Sequence, residues 1–141
     1  MKLLSKIVFA GAVLASQMGH GGGCCSEESS VFGPPTEATC PSDSTLTYTH
    51  FGAPFMEMYC TRCHASDKMG PDRQGAPTFH DFDTLFGVKA VLDHVDETTA
   101  SGPAATNTSM PPDGAKPSLA ERQMLGEWLA CLRDKRTESE Q

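Results

Sequence analysis

Apolar residues recur at helical spacing in three stretches of the chain. In the first, Phe51, Phe55, Met58 and Tyr59 run straight into Cys60. Pro54 falls inside it. It either sits in the first turn, where its missing N–H costs nothing, or kinks the helix. In the second stretch Leu85, Val88, Leu92 and Val95 form an apolar stripe. Lys89, Asp93, Asp96 and Glu97 take mostly the other side, and Asp83 stands where a cap would start the helix. The third has the clearest start signal. Ser118 followed by Glu121 forms a capping box, and Leu125, Trp128, Leu129 and Leu132 follow at i, i+3, i+4 and i+7. Residues 65–82 and 99–117 are rich in Gly and Pro and read as loops. No segment alternates like a strand. The pattern predicts an all-α fold of three main helices with long connecting loops.

Outside these stretches the pattern changes. Residues 1–15, MKLLSKIVFAGAVLA, place two lysines before a short apolar run. That is the layout of a secretory signal, and the run is too short for an ordinary membrane span. A buried core helix is the alternative, and the polar, Gly-rich sequence that follows argues against it. Cleavage after Val13-Leu14-Ala15 is one option. Gly21-Gly22-Gly23-Cys24 resembles a lipoprotein processing site, with Gly21 where an apolar residue normally stands. The organisation read from the chain is a secretory leader over 1–23, a flexible linker over 24–44, one folded domain over 45–134 and a charged tail over 135–141. Either processing route exports the domain to an oxidising compartment, periplasmic or envelope-associated in a bacterium, where disulfides persist. A lipidated Cys24 or an uncleaved leader would tether it to the membrane.

The length of 141 residues allows one domain of limited core. The net charge is −7, and without the leader nine basic residues face eighteen acidic ones, giving −9. An acidic surface argues against nucleic acid and favours a protein partner with a basic docking face.

The chemistry concentrates in Cys60-Thr61-Arg62-Cys63-His64, a C-x-x-C-H motif. This is the pattern of covalent c-type haem attachment. Two thiols three residues apart can each form a thioether to one vinyl group, and the adjacent imidazole reaches the iron as an axial ligand. A thioredoxin-like pair would need a βαβ context that the pattern lacks. A zinc site would need a second Cys or His pair, whereas Cys40 and Cys131 are isolated and His80 and His94 far apart. Met110, in Ser109-Met110-Pro111-Pro112, is the best sixth ligand, since prolines stiffen its loop and a thioether suits haem iron. Met69 lies close after the motif, Met124 on the last helix, and Met56 and Met58 on the first. His80 or His94 would instead make a bis-His site. An open sixth position is the remaining option, with Arg73 or His80 as distal groups.

On these motifs the chain resembles the class I cytochromes c of the small bacterial single-haem type, over about residues 45–133. Gly52, eight residues before Cys60, and Trp128 match that family's packed Gly–aromatic pair. Gly75-Ala76-Pro77 looks like the family's Gly-Pro segment with one residue inserted. The resemblance therefore implies that the Pro77 carbonyl accepts the His64 Nδ1–H and fixes its tautomer. Met110, 46 residues after His64, looks like the family's ligand loop. The first and last helices cross in that fold, which makes a Cys40–Cys131 disulfide a hypothesis. Cys24 and Cys25 stay unassigned, and four non-haem cysteines allow three pairings.

The expected function is that of a periplasmic electron carrier with one haem c and its iron, serving unknown redox protein partners, with no catalysis of its own. A haem enzyme or gas sensor with an open sixth site is the alternative, and a zinc or thiol-exchange module the third option.

Overall fold

The computed structural model describes residues 31–138. The proposed leader, the first part of the linker with Cys24 and Cys25, and the last three residues of the tail lie outside them. Four helices make up the described body: α1 (Ala53–Tyr59), α2 (Leu85–Ala90), α3 (Leu92–Thr99) and α4 (Leu119–Glu138). A π-helical turn, Tyr48–Gly52, leads into α1, and a 3-10 turn, Gly70–Arg73, lies in the loop that follows it. Among the described residues the one β-type pairing is an isolated bridge between Ser101 and Thr106. The class is all-α, as the periodicity predicts.

Local chemistry explains where each helix starts. Thr47 caps the π turn, its Oγ1 accepting from the His50 N–H at 3.2 Å. Pro54 falls in the first turn of α1 and needs no kink. Of the apolar stripe read from sequence, Phe55 is buried and Phe51 and Tyr59 pack against the core, while Met58 departs from it. Met56 is fully buried and Met58 is 66 % exposed. Gly52, four residues before Met56 and so on the same side, packs against the indole of Trp128. A glycine adds nothing to an apolar count, so the pattern alone put Met58, and not Met56, on the inward side.

The second predicted helix is two. The chain breaks at Val91, with φ −136° and ψ 38°, and α3 resumes directly. The stripe survives the break, with Val88, Leu92 and Val95 all buried. The cap is Thr84, whose hydroxyl accepts from the Gly87 N–H at 3.1 Å. Asp83, expected there, instead accepts from the Ser66 hydroxyl at 2.6 Å and its N–H at 3.2 Å. α4 begins with the predicted capping box. Glu121 Oε2 accepts from the Ser118 N–H and hydroxyl, both at 2.7 Å, and Ser118 Oγ accepts from the Glu121 N–H at 3.3 Å. The helix continues to Glu138, past the start of the predicted tail.

Phe55, Met56, Phe82, Leu92, Leu125 and Trp128 lie at the centre of one apolar cluster. Full burial of such side chains contributes roughly 1.5–3 kcal/mol each. Part of the segment read as a flexible linker is tied to this body. Thr36 is fully buried, and its N–H and hydroxyl donate to the Asp96 carboxylate at 2.9 and 2.6 Å. Asp96, read as an outward residue of the second helix, is itself only 4 % exposed for that reason. Asn107 Nδ2 donates to Pro34 O and Asp96 O at 2.9 and 3.0 Å. A Cys40–Cys131 disulfide, with Cα atoms 4.7 Å apart, joins this arm to α4. The packed body thus starts about ten residues before Thr45, because polar Thr and Asn side chains, not apolar ones, hold the arm in place.

Candidate functional site

A cavity of about 280 Å³ opens between the end of α1, the loop after it, α3 and the segment from Met110 to Asp113. Cys60, Cys63 and His64 line it from the turn that follows α1, and Met110 and Pro111 from the opposite loop. Tyr59, Phe82 and Val95 supply apolar wall. Cys60, Cys63 and His64 are held in one tight turn, with the N–H groups of Cys63 and His64 both donating to Cys60 O at 3.1 and 3.0 Å.

The two thiols are free of any disulfide. Burial pushes the Cys60 thiol up to about 12, the Arg122 guanidinium drawing it down somewhat and Cys63 adding to the rise. Reactive redox thiols are shifted the other way, toward thiolate. Cys60 therefore lacks the electrostatic setting of a thiol-exchange nucleophile. Among the described residues no three His, Cys, Asp or Glu side chains gather into a metal-holding group.

The His64 ring stacks on Phe82 with centroids 4.6 Å apart and planes 14° from parallel. Its Nδ1 lies 3.2 Å from His80 O. A carbonyl oxygen only accepts, so Nδ1 carries the proton and Nε2 keeps its lone pair. Burial holds the imidazole below the ordinary histidine value, which favours this neutral, ligand-competent form. The support comes from His80 and not from Pro77, which the resemblance implied. Pro77 lines the cavity, but its carbonyl accepts from Arg73 Nη2 at 2.7 Å. Arg73, at the end of the Gly70–Arg73 turn, engages the Pro77 carbonyl, and His80 O lies at the Nδ1 edge of the ring instead.

Met110 is fixed through its backbone. Its N–H donates to Thr98 O at 3.0 Å, and its carbonyl accepts from Arg122 Nη1 at 3.1 Å. The same Nη1 donates to Thr99 O and Asn107 O at 2.7 and 2.9 Å. Burial lowers the Arg122 guanidinium below its usual value. An Arg62–Asp113 ion pair spans from the C-x-x-C turn to the Met110 loop, and Lys116 Nζ donates to Pro111 O. Among the described methionines Met110 alone lines the cavity. Met56 is in the core, and Met58, Met69 and Met124 are 66, 76 and 37 % exposed.

His80 and His94 also line the cavity, with ring centroids 5.3 Å apart. His94 Nδ1 is buried with no hydrogen-bond partner. Phe32, from the start of the described chain, places its ring 4.5 Å from that of His94. Arg73, considered from sequence as a distal group, is 7 % exposed and bonded to the carbonyls of its own loop and to Asp81. It is committed to holding the His64 side of the site.

Sequence reasoning missed Arg122 and Phe32. Arg122 left one signal, a long cation three residues before Leu125 on the inward stripe of α4. Phe32 left none, because Val31-Phe32 is a lone apolar pair with no period, set between Ser30 and Gly33-Pro34. No family model, no curated protein and no solved structure matches the chain. No helix among the described residues is long and apolar enough to cross a membrane.

Proposed function

We propose that the chain is an exported single-haem c-type cytochrome of class I type that carries single electrons between redox proteins. One observation carries the proposal. Two free thiols and an imidazole from one turn share a largely apolar cavity with one thioether from the opposite loop. The residues present fit haem. Cys60 and Cys63 would hold it covalently, His64 Nε2 and Met110 Sδ would face its iron, and the unpartnered His94 Nδ1 is a polar group suited to its carboxylate edge. When bound, haem supplies a one-electron couple. The protein's part is to hold both ligands still, so that little rearranges on electron transfer, and to exclude water from the apolar wall. The Cys40–Cys131 disulfide supports maturation in an oxidising compartment. The acidic composition, −7 overall, favours partners with basic docking faces.

The test is maturation of the full chain with a c-type haem attachment system, followed by a pyridine haemochrome assay. Covalent haem that is lost in a Cys60→Ser, Cys63→Ser double variant supports the proposal, and its absence from the native chain ends it. A second reading, an open or His-ligated sixth position, is favoured by His80 and His94 on the same cavity wall. A high-spin spectrum of the native protein would select an open site.

A further inference from the structure

The Arg73 guanidinium holds the loop after His64 from the inside. Nη1 donates to Ala65 O at 2.9 Å and to the Asp81 carboxylate at 2.8 Å. Nε donates to Ala76 O at 3.2 Å, and Nη2 to Pro77 O at 2.7 Å and His80 O at 3.2 Å. The His80 carbonyl is the one that also accepts from His64 Nδ1, at 3.2 Å. One oxygen therefore receives a neutral imidazole N–H and a cationic guanidinium N–H together.

A carbonyl has two lone pairs, so both donors fit. They are not independent. A charged donor draws electron density from the oxygen and leaves it a weaker acceptor for the second donor. The hydrogen bond at Nδ1 sets how much negative character the ring has, and so how strongly Nε2 donates to a metal. We infer that Arg73 is a positioning residue that tempers the donor strength of His64 through the shared His80 carbonyl, with the Asp81 carboxylate moderating its charge. The inference rests on the haem reading of His64.

A merely structural Arg73 predicts the opposite sign at Nδ1. Losing a structural brace loosens the loop and weakens the Nδ1–H bond, whereas losing a competing donor strengthens it. The test uses the haem-loaded chain with its disulfide intact, as wild type, Arg73→Leu, Arg73→Lys and Asp81→Asn. It reads the His64 Nδ1–H proton resonance and exchange rate in the reduced protein, and the midpoint potential. In Arg73→Leu the resonance moves downfield, exchange slows and the potential moves negative. Arg73→Lys moves both in the same sense but less, because one Nζ cannot reach Asp81 and His80 O together. Asp81→Asn leaves the cation less compensated and moves both the other way. An upfield shift with faster exchange in the Arg73 variants, or no movement of shift and potential, overturns the inference. If Arg73→Leu does not hold haem, the lysine and asparagine variants decide by their opposite signs. A wild-type chain without covalent haem overturns the proposed function itself, while haem-bearing variants with the wrong signs overturn only the role of Arg73.

Discussion

Gly52 packs directly against the indole of Trp128. A Cβ built on Gly52 would stand 2.6 Å from Trp128 Cη2 and nearer still to Cζ2. The backbone there is ordinary helix, with φ −60° and ψ −54°, so the requirement for glycine is steric and not conformational. Trp128 is itself only 1 % exposed and cannot turn away. Gly52→Ala is therefore expected to destabilise the fold by about 1–3 kcal/mol, the usual cost of overpacking. Chemical denaturation at equilibrium measures it, and an unchanged midpoint would mean that this contact is looser than described.

The disulfide encloses most of the described chain, since Cys40 and Cys131 are 91 positions apart. Cross-linking so long a loop restricts the unfolded chain, and stabilisation on the order of 2–4 kcal/mol is expected. The Cys40→Ser, Cys131→Ser double variant should lose that amount while keeping the cavity. Reduced and oxidised wild type should differ in the same direction in a denaturation experiment.

Glu121 connects the start of α4 to the end of α1. The Ser118 hydroxyl and N–H, and then the Tyr59 hydroxyl at 2.8 Å, hold its carboxyl below the usual value of 4.5. Above 4.5 the group is ionised in folded and unfolded chains alike, and its stabilisation is complete. As pH falls below 4.5 the unfolded chain takes the proton first, and the contribution is lost as pH falls on through the lowered folded value. Stability measured against pH should drop in that window, and Glu121→Gln should flatten the drop. Asp83 adds a similar loss below 3.8, through its bond from the Ser66 hydroxyl.

Met110 is the thioether facing the cavity. On the proposed function, Met110→Ala should keep covalent haem while losing the methionine–iron charge-transfer band and gaining high-spin character. A band that persists would move the sixth ligand to another residue, and His80 and His94 are next to be replaced.

Arg122 joins α4 to the end of α3 and to the Met110 loop through three carbonyls on one nitrogen. Arg122→Leu leaves those acceptors buried without a donor, at roughly 1–3 kcal/mol for each one left dry. Hydrogen exchange at the amides of Asn107 and Met110 should accelerate more than exchange in α1, since only the former depend on α4 through this side chain.

The helical class, the capping box at Ser118 and the C-x-x-C-H turn are all local in sequence. Backbone propensity and side-chain spacing determine them, so they could be read before any fold was known. The inward stripe of α4 belongs with them, because a 3.6-residue period needs only a core to face. What the chain could not reveal by itself depends on which distant groups meet. Pro77 and His80 are both exposed-loop residues in a one-dimensional reading. Only the path of the loop, held by Arg73, decides that His80 O and not Pro77 O lies under His64. The same holds for Asp96, which reads as a solvent-facing acid until Thr36 arrives from 60 positions away. Hydrogen bonds to carbonyls and carboxylates leave no periodic trace, because any polar residue can donate once folding brings it near. In the Gly52–Trp128 pair the sequence supplied both members and their family likeness. The tertiary structure decided that they meet, and that Met56 lies in the core and Met58 in solvent, because packing between distant segments sets which face is inside.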